Sequence, residues 1–159
     1  MRSLICVGII IILFTIVSFS MSVYVSKGIE LSGLERQFFG VGLQSGNNFL
    51  RSELNCYVPV TQISSLLELD PAVSLNFRLG KNVSLYTGLG FIVLVDLYKL
   101  QVFIYSDNAF RVKAGINLKL TDLIHIFGEV MTIGGLANGP YLIGWSGILY
   151  VNAGIGLNY

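Results

Sequence analysis

The sequence predicts an all-β fold, an eight-stranded antiparallel up-and-down barrel, and three observations predict it. Along most of the chain apolar residues recur at every second position, the period of a strand with one apolar face. Charged residues avoid that apolar parity: from Ile29 onward it carries none, while the opposite parity of the same runs carries Glu30, Arg51, Glu53, Arg78, Arg111, Lys113, Lys119 and Glu129. After a short first link, Leu34 to Arg36, the runs are joined alternately by tight turns and longer loops, as in a barrel with one short-turned rim and one looped rim.

Composition sets the solvent of that apolar face. Hydrophobic residues make up 53% of the 159 residues and charged ones 12%. A small soluble domain has to cover itself with polar surface, so this balance points to lipid. From Leu4 to Phe19 the chain is uncharged and mostly apolar behind Arg2, and Ser18-Phe19-Ser20 puts small residues at the third-last and last places before Met21. These are the parts of a secretory signal peptide, so residues 1–20 are expected to be a leader and residues 21–159 the barrel. An uncleaved helical anchor would need roughly 20 apolar residues, more than this run offers. No Cys lies near the exit, which argues against a lipoprotein anchor. Without Arg2 the basic and acidic groups balance, so no electrostatic footprint for nucleic acid is present. Cys6 falls in the leader and Cys56 stands alone; no Cys/His spacing suggests a metal, and no cofactor is expected.

The strands follow in order. The first run, Val23 to Gly33, is the least regular, because Lys27 shares parity with Ile29 and Leu31; a bulge at Gly28 that resets the parity would explain it. The second, Phe38 to Gln44, sets Phe39, Val41 and Leu43 against Gly40, Gly42 and Gln44. The third, Phe49 to Val60, sets Leu50, Leu54, Cys56 and Val58 against Arg51, Glu53, Asn55 and Tyr57, with Pro59 suited to a rim. The fourth runs from Ala72 to Leu79 and the fifth from Val83 to Val95. The sixth, Phe110 to Leu120, opposes Val112, Ala114, Ile116 and Leu118 to Arg111, Lys113, Gly115, Asn117 and Lys119. The seventh spans Leu123 to Ile133, with His125, Phe127, Glu129 and Met131 on its mixed face. The eighth, Leu149 to Tyr159, alternates strictly and stops on an aromatic. The long connections are Thr61 to Pro71, Asp96 to Ala109 and Gly134 to Gly147; within the second, the apolar stretch Tyr98 to Tyr105 is open between an extension of the fifth strand above the membrane and a short cap.

That closing run resembles the C-terminal signature of bacterial outer-membrane β-barrels, with polar Asn152, Gly154 two later, and hydrophobic Leu157 and Tyr159 at the third-last and last places. In that family the last strand is what the barrel-assembly machinery recognises during insertion. Leader, eight runs of spanning length and alternating links make the whole chain similar to the small OmpA/OmpX-type barrels, here without a peptidoglycan-binding domain after the eighth strand. The resemblance implies a bacterial outer membrane, membrane lipid as a partner, and porin-like architecture without a large pore. What the long loops bind is left open.

Eight strands enclose an interior just wide enough to be filled by side chains. The eight charges on the mixed parity, five bases and three acids, are therefore expected to form a paired network that fills the lumen, with Glu129 facing Arg111 or Lys113. Inward glycines, among them Gly88, Gly115 and Gly154, would leave room for the large side chains. Some barrels of this family are lipid A hydrolases that need a His with a nearby Ser. The lone His125 has Phe127 two residues on, so the His-x-Ser pattern of the deacylases is missing and no catalytic residue is assigned. Tyr98, Phe103, Tyr105, Phe110, Tyr141 and Trp145 gather towards the looped rim and Tyr159 lies at the other, as interface girdles do. The expected role is structural or surface-interacting; the alternatives are a barrel-embedded lipid-modifying enzyme and a soluble secreted barrel with an apolar ligand inside.

Overall fold

The computed structural model describes residues 21–31, 36–47, 49–60, 66–104, 109–136 and 143–159. The expected leader lies outside them, as do Tyr105 and Tyr141. Ten strand segments follow one another: β1 (Met21–Glu30), β2 (Gln37–Gly46), β3 (Leu50–Pro59), β4 (Leu66–Arg78), β5 (Val83–Gly90), β6 (Val93–Asp96), β7 (Gln101–Ile104), β8 (Ala109–Lys119), β9 (Ile124–Leu136) and β10 (Ile143–Asn158).

Every pairing is antiparallel, and the wall closes on itself. Going round, β1, β2, β3, β4, β5, β8, β9 and β10 are neighbours in turn, and the seam pairs β1 with β10 from Ser22 opposite Asn158 to Glu30 opposite Tyr150. Closure removes the sheet edges that an open antiparallel sheet would leave unpaired. The wall is thus the expected eight-stranded up-and-down barrel.

The pleat settles which parity faces where. Val25, Val41, Leu89, Ile116 and Ile155 point outward and stay exposed, whereas Tyr24, Asn55, Ser74, Lys113 and Asn152 point inward and are buried. Apart from Lys27, no charged residue occupies the outward parity of the described strands. The barrel is therefore inverted relative to a soluble domain, apolar outside and polar inside.

Side-chain oxygens shape the tight turns. Asn47 Oδ1 accepts the backbone N–H groups of Phe49 and Leu50 at 2.8 and 2.7 Å, and Thr121 Oγ1 accepts those of Leu123 and Ile124 at 3.2 and 2.9 Å. These turns share one rim with the start of β1 and the end of β10, where Tyr159 N–H bonds the Met21 carbonyl at 2.8 Å.

Three expectations are corrected at or near the other rim, and one question left open there, the third below, is answered. First, β1 keeps unbroken register with both neighbours through Gly28, so no bulge resets it. Lys27 does face outward, with its ammonium 5.9 Å from the centre of the Phe39 ring; a long aliphatic stem lets such a charge reach towards an interface. Second, the fourth strand starts at Leu66 and runs through Pro71, so most of the expected loop 61–71 is wall. Pro71 has no N–H to return to Phe91, whose own N–H bonds the Pro71 carbonyl at 3.0 Å. That missing bond is why the wall strand is interrupted between β5 and β6, although both keep the same register against β4. Third, the stretch after Asp96 is no plain loop: β6 turns back as a hairpin onto β7, and Leu100 adopts a positive φ of 52° in the turn. Fourth, β9 and β10 extend past Ile133 and before Leu149, leaving a shorter link than expected. Their register shifts between Trp145 and Leu149, where Gly147 takes a φ of 72° that a residue with a Cβ rarely adopts.

Candidate functional site

The lumen is the candidate site, and alternation along each strand delivers its side chains. At mid-height Lys113 from β8 forms an ion pair with Glu53 from β3, both almost wholly buried. Glu53 also accepts from Ser74 Oγ of β4 and from Gln44 Nε2 of β2 at 3.2 Å. Three further strands thus satisfy one carboxylate, which is what keeps a buried charge from being prohibitive. Beside it Glu129 of β9 accepts the Tyr86 hydroxyl at 2.9 Å and Asn152 Nδ2 at 2.8 Å. The Tyr24 hydroxyl donates to Asn55 Oδ1.

Room for these rings comes from missing Cβ atoms on the facing strand. A Cβ at Gly115 would lie 2.5 Å from the Tyr86 ring, and one at Gly42 would collide with the Tyr24 ring.

Towards the looped rim a second group forms. Arg111 Nη1 meets Glu68 at 2.6 Å and Asp70 at 3.4 Å, and its guanidinium lies between the Tyr57 and Tyr150 rings at 5.4 and 5.6 Å. Glu30 pairs with Arg36 Nε at 3.0 Å. Above this belt lies a cavity of about 300 Å³ whose wall turns apolar at Ile92, Leu94 and Ile133.

The eight expected interior charges thus divide. Glu30, Glu53, Arg111, Lys113 and Glu129 are buried in the lumen. Arg51 and Arg78 line the tight-turn mouth, and Lys119 pairs at 2.7 Å with Asp122 at the rim. One pairing is corrected: Glu129 is held by Tyr86 and Asn152, because Lys113 reaches across the lumen to Glu53 and Arg111 sits a layer higher. Glu68 and Asp70 were not among the expected residues, yet Asp70 is fully buried. The alternation that carries them, Leu67 and Leu69 out against Glu68 and Asp70 in, was present in the sequence, but Pro71 read as its boundary.

The closing-strand residues take ordinary wall positions. Asn152 points inward to Glu129, Gly154 lies against the Phe127 ring, and Leu157 and Tyr159 are exposed on the outside and at the rim. His125 is buried near the tight-turn mouth beside Phe127, with ring centres 6.5 Å apart. Among the described residues no cluster of His, Cys, Asp and Glu could hold a metal.

No protein-family model matches this sequence, and no curated protein matches it. Solved structures do. A structure from the de novo design of transmembrane β-barrels superimposes with a TM-score of 0.66 at 14% identity, covering 89% of this chain and 97% of that one. The N-terminal β-barrel domain of Pseudomonas aeruginosa OprF gives 0.66 at 12% identity, over 90% and 99%. Neisserial surface protein A gives 0.52 at 11% identity, over 87% and 94%. The fold is that of the small eight-stranded transmembrane barrels, the OmpA/OmpX-type architecture expected from the sequence.

Proposed function

We propose that this protein is an integral barrel of a bacterial outer membrane, with a structural or surface-interaction role and a lumen that is filled and forms no large pore. The observation that carries the reading is the Lys113–Glu53 pair, which reaches across the lumen at mid-height, packed beside Glu129 with its bonds to Tyr86 and Asn152. An open channel needs water along its axis, and these side chains occupy that axis instead. The fold it shares with the OprF barrel domain supports the same compartment, and the apolar outward face supports lipid as its surroundings.

The closing strand, with Asn152, Gly154, Leu157 and Tyr159, is the segment we assign to the barrel-assembly machinery. We read the protein as non-enzymatic: His125, beside Phe127 at the tight-turn mouth, has a packing role, and the outward-looping rim carries any partner contact. Cell fractionation tests the proposal. The protein is expected in the outer-membrane fraction, resistant to alkaline carbonate, with residues of the β6–β7 hairpin such as Tyr98 open to labelling in intact cells. Release by carbonate would point to the soluble barrel instead.

A further inference from the structure

The tight-turn mouth differs in chemistry from the rest of the lumen. It opens into a cavity of about 260 Å³, lined by polar side chains and by Arg51, Arg78, Lys81 and Lys119. Among the described lining residues Asp122 is the one carboxylate, and it is engaged with Lys119. Arg51 donates to Gln44 Oε1 at 3.4 Å and is drawn to Glu53 deeper in the lumen, while Arg78 lies near enough to repel it. Like charges held round one cavity lose less when an anion sits between them, and guanidinium groups match the oxygens of a phosphoryl group in bidentate fashion.

A second observation comes from the floor of the same cavity. His125 also lines this cavity and is 4% exposed; its ring interacts with the Asn158 side chain, yet Nδ1 is left without a hydrogen-bond partner. The Cε1–Nε2 edge of the ring lies against Gly156, so Nδ1 is the nitrogen not pressed on the wall. A buried ring nitrogen left unsatisfied costs free energy unless something fills the site, and a ring N–H at that position is a donor for an oxyanion.

We propose that the tight-turn mouth binds a small oxyanion, a phosphate or a phosphoryl group, between Arg51, Arg78 and Lys81, with His125 at its floor. The site is independent of whether the lumen above it conducts. It gives the barrel one end that attracts anions, while the other end, where Glu30, Glu68 and Asp70 face Arg36 and Arg111, does not.

The test is two-dimensional NMR of the protein purified from membranes and placed in phosphatidylcholine nanodiscs, titrated with inorganic phosphate at constant ionic strength against chloride. Saturable shifts confined to the tight-turn rim are expected, with a dissociation constant of about 1 mM or tighter. Affinity should fall about tenfold in Arg51→Gln/Arg78→Gln and several-fold in Lys81→Gln, an exposed turn substitution that leaves the wall intact. Arg36→Gln, a cation lost from the other mouth, should change nothing. If free phosphate is silent but nanodiscs containing phosphatidylglycerol shift the same resonances, and Lys81→Gln weakens that response, the phosphoryl group is that of a lipid headgroup. No saturable shift with either source, or shifts that survive both the double variant and Lys81→Gln, overturns the proposal.

Discussion

Inside the lumen Lys113 at mid-height and Arg111 a layer above it are 1% and 3% exposed; Lys113 lies against Glu53, and Arg111 against Glu68 and Asp70, all from other strands. At the tight-turn mouth Arg51, Arg78 and Lys119 are within reach of water, and Asp122 is the one carboxylate among the described residues that line it. The two regions use the same residue types under different constraints. A charge removed from water on all sides is tolerable only when a partner and extra hydrogen bonds replace its hydration. A charge at the mouth keeps part of its hydration, so excess positive charge accumulates there at small cost. Pairing in this barrel therefore follows depth.

That contrast is most sharply broken at Lys113. Lys113→Met leaves Glu53 buried without its cation, and the loss should be about 3 to 5 kcal/mol of stability, read from urea unfolding in lipid. Adding Glu53→Gln should return most of it, since Ser74 and Gln44 still bond the neutral side chain. If the double variant is no better than Lys113→Met alone, an unpaired charge is not the cause.

The outward face gives the next largest effect. Ile116 stands on the lipid-facing side of β8, and Ile116→Arg should cost about 2 to 4 kcal/mol near the bilayer middle. Asn117→Leu, one residue along and facing inward, should fold into bilayers with a smaller loss. The reverse ranking would mean that inside and outside are exchanged.

The smallest effect is expected at the rim. The Lys119 ammonium beside Asp122 holds that carboxyl below the ordinary carboxylate range. A depressed folded value contributes stability above the ordinary range and loses it as pH falls through the depressed value. Water and salt screen so exposed a pair, so Asp122→Asn should barely move the unfolding midpoint at neutral pH. The two proteins should converge in acid and in high salt, and a large difference that persists in salt would show that Asp122 has a role beyond this pair.

The same division by height describes how much the sequence discloses. Near the tight-turn rim the alternation runs up to compact turns, and the expected ends at Gln44, Leu79, Val83, Leu120 and Leu123 lie within about two residues of the observed ones. Near the looped rim it does not, because Pro71 and Gly147 look like boundaries but lie inside paired strands. In both cases tertiary pairing overrides a local signal: the carbonyl of Pro71 still bonds Phe91, and Gly147 absorbs a register shift. The parity of Glu53, Arg111, Lys113 and Glu129 was legible because strand period alone sets it. Which charge meets which was not, since partners come from strands far apart in sequence, as Lys113 and Glu53 do.

Planar-bilayer recording of the purified monomer tests the filled lumen most directly. With Lys113 and Glu53 tied across the axis and Tyr86 and Glu129 packed beside them, the protein should give no stable, solute-permeable openings. Long-lived large openings from the parent monomer would contradict the account.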